Sequence, residues 1–299
     1  MYKSNINLNL YKTFYEVAKY GSISETAKNT YSSQPAISKS IKKLESDLNV
    51  KLFYRTINGV ELTEKGKELL FYVEKSYNNL AIAERKLIET SNLERGKLSI
   101  GMPSNIGTFF VFDHIIDFHK RYPNIEITII TGTTTTLLND LESHKVDFII
   151  DTSPINTSNS DIIIKKLEKV NYRFIGKSNG VVDIDSIKSL KDLEDIPLIL
   201  PVPNTTNRNE LDTLLLENNI NINNVINIYT SEMIISAIKN DLGIGYIIEN
   251  VVEKELNSGE FKIVNIKETL PTSTINLVYN ENYLTESSIK FINDYIIKL

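Results

Sequence analysis

Apolar residues in the first fifty positions recur three and four apart, the spacing of one helical face. Leu10, Phe14 and Val17 predict a helix over residues 8–20, ended by Gly21 in a left-handed conformation. Ile23 and Ala27 give an apolar side to a short second helix, residues 25–30, with Ser24 as its cap. Tyr31 and Ser32 form a turn. Ser33 then caps a third helix, with Pro35 in the first turn, where a missing N–H costs nothing. Ile37, Ile41, Leu44 and Leu48 make that helix's buried stripe. The pattern then changes. Residues 53–56 and 60–62 flank Asn58-Gly59, the strongest short hairpin signal. Three helices and a hairpin make a winged helix-turn-helix.

Thr63 starts a long helix that runs without proline to about Glu94, with Arg95 suited to the helix dipole and Gly96 as its C′ residue. Gly66, Leu70, Val73, Tyr77, Leu80, Glu84 and Leu87 step by four and three, a heptad seam with two faults. The seam either packs on its own chain or pairs with a second copy. A helix of ~30 residues spans ~45 Å, longer than a small winged helix covers, which favours pairing.

From Lys97 strands and helices alternate. Strands at 98–102, 125–131 and 146–151 alternate with helices at 106–121 and 134–144. Strands at 172–176, 197–201, 225–230 and 243–248 follow, with helices at 207–218 and 232–241. Residues 261–267 and 274–280 are further strands, and a helix over 285–298 ends the chain. The βαβ pattern implies parallel sheets, and two lobes with a cleft between them suit the length.

Charge divides the same way. Residues 1–96 hold 15 Lys+Arg against 11 Asp+Glu, leaving 18 against 27 for residues 97–299, so a balance of +4 is joined to one of −9. A basic module and an acidic one argue for DNA at the N-terminal end only. The third helix's polar face carries Gln34, Ser38, Lys39, Lys42 and Lys43, with no acid before Glu45. Lysines there neutralise phosphates, while an amide near the helix start reaches base edges. Arg55 in the hairpin's first strand can touch a phosphate. A solvated basic face on an ordinary bundle helix is the plainer alternative.

The strings FYEVAKYGSISETAKNTY, SSQPAISKSIKKLE and LFYRTINGVELTEKG, within residues 10–66, closely resemble the DNA-binding domain of LysR-type transcriptional regulators. Thr30 and Ser32 depart from that family, which more often has apolar residues there. The resemblance implies an α+β chain with an N-terminal winged helix-turn-helix over residues 1–62. A linker and dimerisation helix follows over 63–96, and a two-lobed α/β effector-binding domain over 97–299. That domain would resemble type 2 periplasmic solute-binding proteins. Lobe I would be about 97–167 with 268–299, and lobe II about 168–267, with crossovers near 168–170 and 264–267. The DNA-binding residues would be Ser33, Gln34, Pro35, Ser38, Lys39, Lys42 and Arg55. The expected partners are double-stranded operator DNA, a small effector, and further copies in a homodimer or homotetramer.

Ligands of open parallel sheets bind past the carboxyl ends of strands. Those ends carry Ser104 and Asn105, then Thr131, Thr133 and Thr134, then Asn204 and Thr205, then Thr230, each cluster beside a helix start. Free N–H groups at a helix start attract anions, so a small, polar, anionic effector is expected. Any one cluster can equally be a plain cap. The resemblance adds that Ser104, Thr133 and the Asn204–Thr205 loop match pocket-lining positions, although PVPNTTN is bulkier than the family's glycine-rich loop.

No enzyme signature appears. His114, His119 and His144 lack metal-ligand spacing, and there is no GxSxG, GxxxxGK[ST] or GxGxxG. With no cysteine, disulfides and thiol switches are excluded. No cofactor or metal is expected, no run spans a membrane, and a cytoplasmic regulator fits. The other reading is a solute-binding sensor whose N-terminal domain grips a protein; salt-sensitive heparin retention separates the two.

Overall fold

A computed structural model describes residues 6–57, 59–88 and 95–297. The chain divides into two compact units, residues 1–84 with 142–145, and residues 85–141 with 146–299.

The first unit begins with three helices: α1 (Leu8–Tyr20), α2 (Ile23–Asn29) and α3 (Gln34–Leu48). Asn7 caps α1, and Gly21 closes it at φ 62°, its N–H donating to the Val17 carbonyl. Ser22, not Ser24, caps α2: its hydroxyl accepts the Glu25 N–H at 3.3 Å, and Ser24 lies within the helix. Tyr31 turns the chain at φ 51° with its ring fully exposed. The apolar stripe of α3 packs as spaced. Ile37, Ile41 and Leu44 are buried with Phe14, Val17, Ala27, Leu52 and Val73, each large side chain contributing about 1.5–3 kcal/mol.

The wing is an antiparallel pair, β1 (Phe53–Thr56) and β2 (Gly59–Leu62). Asn58 lies outside the described residues, so the hairpin dipeptide is seen only through Gly59. Gly59 has a tertiary role: a Cβ there would stand 2.3 Å from the Gly21 carbonyl oxygen, which accepts the Val60 N–H at 2.8 Å. A side chain would lift the wing off α1.

Helix α4 (Glu64–Ile88) starts at Thr63, whose hydroxyl accepts the Gly66 N–H and donates to the Lys51 carbonyl. Its predicted continuation over 89–94 lies outside the described residues. Gly96 is no helix cap but the first residue of a strand. The seam divides. Gly66 lies against Leu52, where a Cβ would stand 2.2 Å from a carbonyl oxygen. Leu70, Val73 and Tyr77 pack on the core of their own chain, and Tyr77 meets Tyr15 at 5.5 Å between ring centroids. Leu80 and Leu87 are 62% and 87% exposed.

The second unit holds two sheets joined by one strand. The first contains β3 (Gly96–Met102), β4 (Ile125–Thr131), β5 (Phe148–Thr152) and β11 (Thr272–Tyr279). The second contains β7 (Leu198–Pro201), β8 (Val225–Ile228), β9 (Ile244–Ile248) and β10 (Phe261–Ile263). Between them runs β6 (Ile163–Lys177). Its first part pairs antiparallel with β11 as far as Asn171. From Tyr172 it pairs with β9, and its end pairs with β10. The full order is β4-β3-β5-β11-β6-β9-β7-β8, with β10 beside β6. Pairs β3–β4, β3–β5, β7–β8 and β7–β9 are parallel, as βαβ connections require. The strand expected from Tyr172 onward thus begins nine residues earlier, at Ile163.

Helices cover these sheets. They are α5 (Ser104–Ile106), α6 (Phe112–Arg121), α7 (Thr134–Glu142), α8 (Thr206–Glu217), α9 (Ser231–Lys239), α10 (Glu253–Asn257) and α11 (Glu286–Phe291). A π-helical turn, Gly107–Val111, joins α5 to α6, and another, Ile292–Ile296, follows α11. The two helices expected there as continuous are therefore interrupted. Helix α7 stops at Glu142, and His144 adopts φ 60° rather than continuing it. Phe148 and Ile150 face one core while Ile149 faces another with Leu137 and Leu141, the alternation of a strand covered on both sides.

Candidate nucleic-acid interface and effector site

Helix α3 presents its polar residues outward. Ser33 spends its hydroxyl on the cap, accepting the Ala36 N–H at 3.3 Å. Gln34 is the first helical residue and Pro35 the second, both exposed. Gln34, Pro35 and Ser38 share a groove of about 750 Å³ with Arg55 and Thr56 of the wing and with Ser22 and Ser24 at the start of α2. Ser38, Lys42 and Arg55 also line a smaller groove of about 360 Å³ with Lys51 and Tyr54. The structure thus brings five of the seven predicted residues to these two grooves. Ser33 stands exposed at the cap beside them, and Lys39 is exposed on the same helix outside both. Among the described residues, Lys39 and Lys42 have no ion-pair partner, whereas Lys43 is held by Asp47 at 2.6 Å. Ser24 and Thr56 were missed as groove residues, although they adjoin the predicted ones in sequence.

Glu45 fixes the wing to α3. It is almost fully buried, and one carboxylate oxygen accepts the Leu52 N–H at 2.9 Å and the Phe53 N–H at 3.4 Å. The other meets the Lys51 ammonium at 2.9 Å. Burial pushes its pKa up, but the Leu52 N–H, Lys51 and the Phe53 N–H outweigh that and hold it below the usual range.

In the second unit, the predicted effector residues lie at the carboxyl ends of strands, most of them with local partners. Ser104 is exposed as the first residue of α5, and Asn105 is half-buried beside it. Thr131 ends β4, exposed. The Thr133 hydroxyl caps α7, bonding the Thr136 hydroxyl at 3.0 Å and accepting its N–H at 3.4 Å. Thr134 opens α7 with its side chain hydrogen-bonded to Asp151. Asn204 is exposed at φ 68°, and the Thr205 hydroxyl donates to the Val202 carbonyl at 2.9 Å. The Thr230 hydroxyl caps α9, accepting the Met233 N–H at 3.3 Å. Arg208, the cation of α8, is engaged by Asp212 at 2.7 Å, Asn227 at 2.6 Å and the Pro201 carbonyl at 2.9 Å.

These positions bear on the expected charge of the effector. Thr133 and Thr230 already satisfy part of their own helix starts, and a carboxylate, Asp151, stands beside the start of α7. An anion arriving there would meet a like charge. Sequence reasoning missed Asp151 because one acid at a strand end carries no pattern. Among the described residues, no three His, Asp or Glu converge to hold a metal. No described helix is long and apolar enough to cross a membrane.

Comparison with known proteins identifies the family. Residues 8–67 match the bacterial regulatory helix-turn-helix protein, lysR family, and residues 91–293 match the LysR substrate binding domain. A probable RuBisCO transcriptional regulator of Phaeodactylum tricornutum is 27% identical, over 95% of this chain and 94% of that protein. A full-length OxyR variant from Pseudomonas aeruginosa has the same fold, with TM-score 0.72 and 19% identity over 98% of this chain and 95% of that one. So has full-length CbnR complexed with its target DNA, with TM-score 0.68 and 15% identity over 98% of this chain and 100% of that one. With a winged helix-turn-helix at one end, a two-sheet domain at the other and both family matches between them covering most of its length, the chain belongs to the LysR-type transcriptional regulators, which combine a DNA-binding helix-turn-helix with an effector-binding domain.

Proposed function

We propose that residues 1–62 read operator DNA through α3, that residues 63–96 pair two copies, and that residues 97–299 bind a small polar effector between two lobes. The observation that carries the DNA assignment is the shared groove of Gln34, Pro35, Ser38 and Arg55, with the cations Lys39 and Lys42 on the same helix. Gln34 is placed to read adenine N6 and N7, and the lysines to meet phosphates. The protein acts as a regulator rather than an enzyme, as a homodimer or homotetramer on DNA in the cytoplasm. The effector residues are the strand-end set from Ser104 to Thr230, and the Asp151 carboxylate beside them argues against an anionic effector.

The test is binding to a duplex selected from a random pool by the full chain, against its scrambled counterpart, across a salt series. Gln34→Ala should lose ~1–3 kcal/mol on the selected duplex and little on the scrambled one. Lys42→Ala should weaken both and flatten the salt slope by about 0.9 for each phosphate it ceases to neutralise. Equal losses on both duplexes for Gln34→Ala would remove it from base reading.

A further inference from the structure

The connector between α7 and β5 belongs with the first compact unit. Residues 142–145 are the one stretch beyond residue 84 grouped there, although most of α7 before them and β5 after them lie in the second. Two bonds hold this connector to α4. The Asn78 side-chain amide donates to the Ser143 carbonyl at 2.7 Å, and the Lys145 ammonium meets Glu74 at 3.2 Å. Ser143 and His144 are buried, and His144 turns the chain at φ 60°.

Two residues on, Asp147 is held to β3. Its N–H donates to the Ser99 carbonyl and its Oδ2 accepts the Ser99 N–H, both at 2.8 Å. Its Oδ1 accepts from the Arg85 guanidinium at 2.9 Å, and the carboxylate side chain is 1% exposed. Arg85 also reaches the Lys97 carbonyl at 3.4 Å. A buried pair is little screened by salt, and losing either partner strands a buried charge. Arg85 therefore fixes the last turn of α4 firmly to β3. Glu74, Asn78 and Arg85 stand four and seven residues apart, on one face of the helix. That face is distinct from the seam that carries Leu80 and Leu87.

We propose that α7 and its connector form a strap through which the effector site acts on α4, with the Arg85–Asp147 pair as the fixed point. This rests on the reading above that the effector meets Thr133 and Thr134. Those residues cap and open α7, whose nine residues at ~1.5 Å each carry a shift ~13 Å to the connector. The connector passes it to Asn78 and Glu74 through the two bonds. Asn78 lies 7 residues before Arg85, and Glu64, where α4 begins, lies 21 before it. With Arg85 held, a sideways shift at Asn78 is enlarged about threefold at Glu64, since a helix rises evenly along its length. A small change at the effector end thus becomes a larger one where the DNA-binding helices attach.

The experiment is a coupling measurement on the full chain, with a substitution standing in for the effector. Thr133→Val removes the cap of α7. Glu74→Gln with Asn78→Ala cuts the strap, and Lys145→Gln opens the same ion pair from the connector's side. Melting temperature checks that each variant is folded. Amide hydrogen exchange is followed over α7 and over residues 74–82, and affinity is measured on the selected and scrambled duplexes. With the strap intact, Thr133→Val should change exchange in both segments and alter selected-duplex affinity by about fivefold or more. With the strap cut, it should still change exchange in α7 but leave residues 74–82 and duplex affinity as they were. Lys145→Gln alone should reduce the coupling. If the effect of Thr133→Val on α4 survives the cut, the proposal is overturned, as it is by an α4 that ignores Thr133→Val while the strap is intact. The exchange readout needs neither DNA nor ligand, so it fails with the strap alone. A ligand whose affinity is unchanged by Thr133→Val would sink the placement of the effector site and leave the strap standing.

Discussion

Two buried carboxylates illustrate opposite uses of the same side chain. Glu45 is surrounded by donors, so its folded pKa lies below the unfolded value. Its contribution is present above the usual range and lost as pH falls through the lowered pKa. Glu45→Gln should therefore destabilise the DNA-binding unit by ~1–3 kcal/mol at pH 7. In urea unfolding, the gap between variant and parent should close as pH drops below the ordinary value of 4.5. A gap that persists unchanged into acid would show that charge plays no part. Asp151 runs the other way: its folded pKa, about 6, is above the unfolded value of 3.8. The folded state binds the extra proton, so stability falls as pH rises from the unfolded value through the folded one. The difference of about two units corresponds to roughly 3 kcal/mol at most. Asp151→Asn should accordingly melt higher than the parent at pH 8 without ligand, with the advantage shrinking towards pH 4. A variant that melts lower at pH 8 would mean the carboxylate is already satisfied.

At the scale of elements, α4 divides into two halves. Its first half belongs to its own domain, since Val73 is 7% exposed within the core, and its second half carries Leu80 and Leu87 outward. On the pairing proposed above, Leu80→Glu combined with Leu87→Glu should leave the chain monomeric at micromolar concentration while circular dichroism stays unchanged. Val73→Glu should instead unfold the DNA-binding unit, because it buries a lone charge at a cost of several kcal/mol. A double variant that sediments as a dimer would place the pairing surface elsewhere. The seam's period was legible in the sequence, but which half faced inward was not, because heptad spacing is blind to the partner. Helix α3 was legible down to its cap, since Ser33, Pro35 and the stripe from Ile37 to Leu48 all point to one start and one face. The first half of β6 was not. Lys165, Lys166 and Lys169 interrupt its alternation, and it pairs in that sheet with β11 alone, so one long edge needs no apolar code. Asp151 was equally hidden: its partner Thr134 lies on a separate element, and only the tertiary fold brings the two together.

Charge is the property that belongs to the whole molecule. The chain is net −5, yet its basic balance is confined to the N-terminal residues. It should be retained on heparin at low salt and released as salt rises. Lys39→Glu with Lys42→Glu shifts the net charge by −4, from −5 to −9, and should abolish retention altogether. Retention of that variant would point to a cationic surface other than α3. The strand that both sheets share has a mechanical meaning. Because β6 is hydrogen-bonded to β11 on one side of Tyr172 and to β9 on the other, the lobes are joined through continuous backbone at that point. The chain returns through residues 264–271, between β10 and β11. Any rotation of one lobe against the other is then a twist of these two short segments, with the remaining strands carried as rigid bodies. Amide hydrogen exchange at residues 170–172 becomes a built-in gauge: a ligand that clamps the lobes should slow it there and leave the amides of β3 untouched.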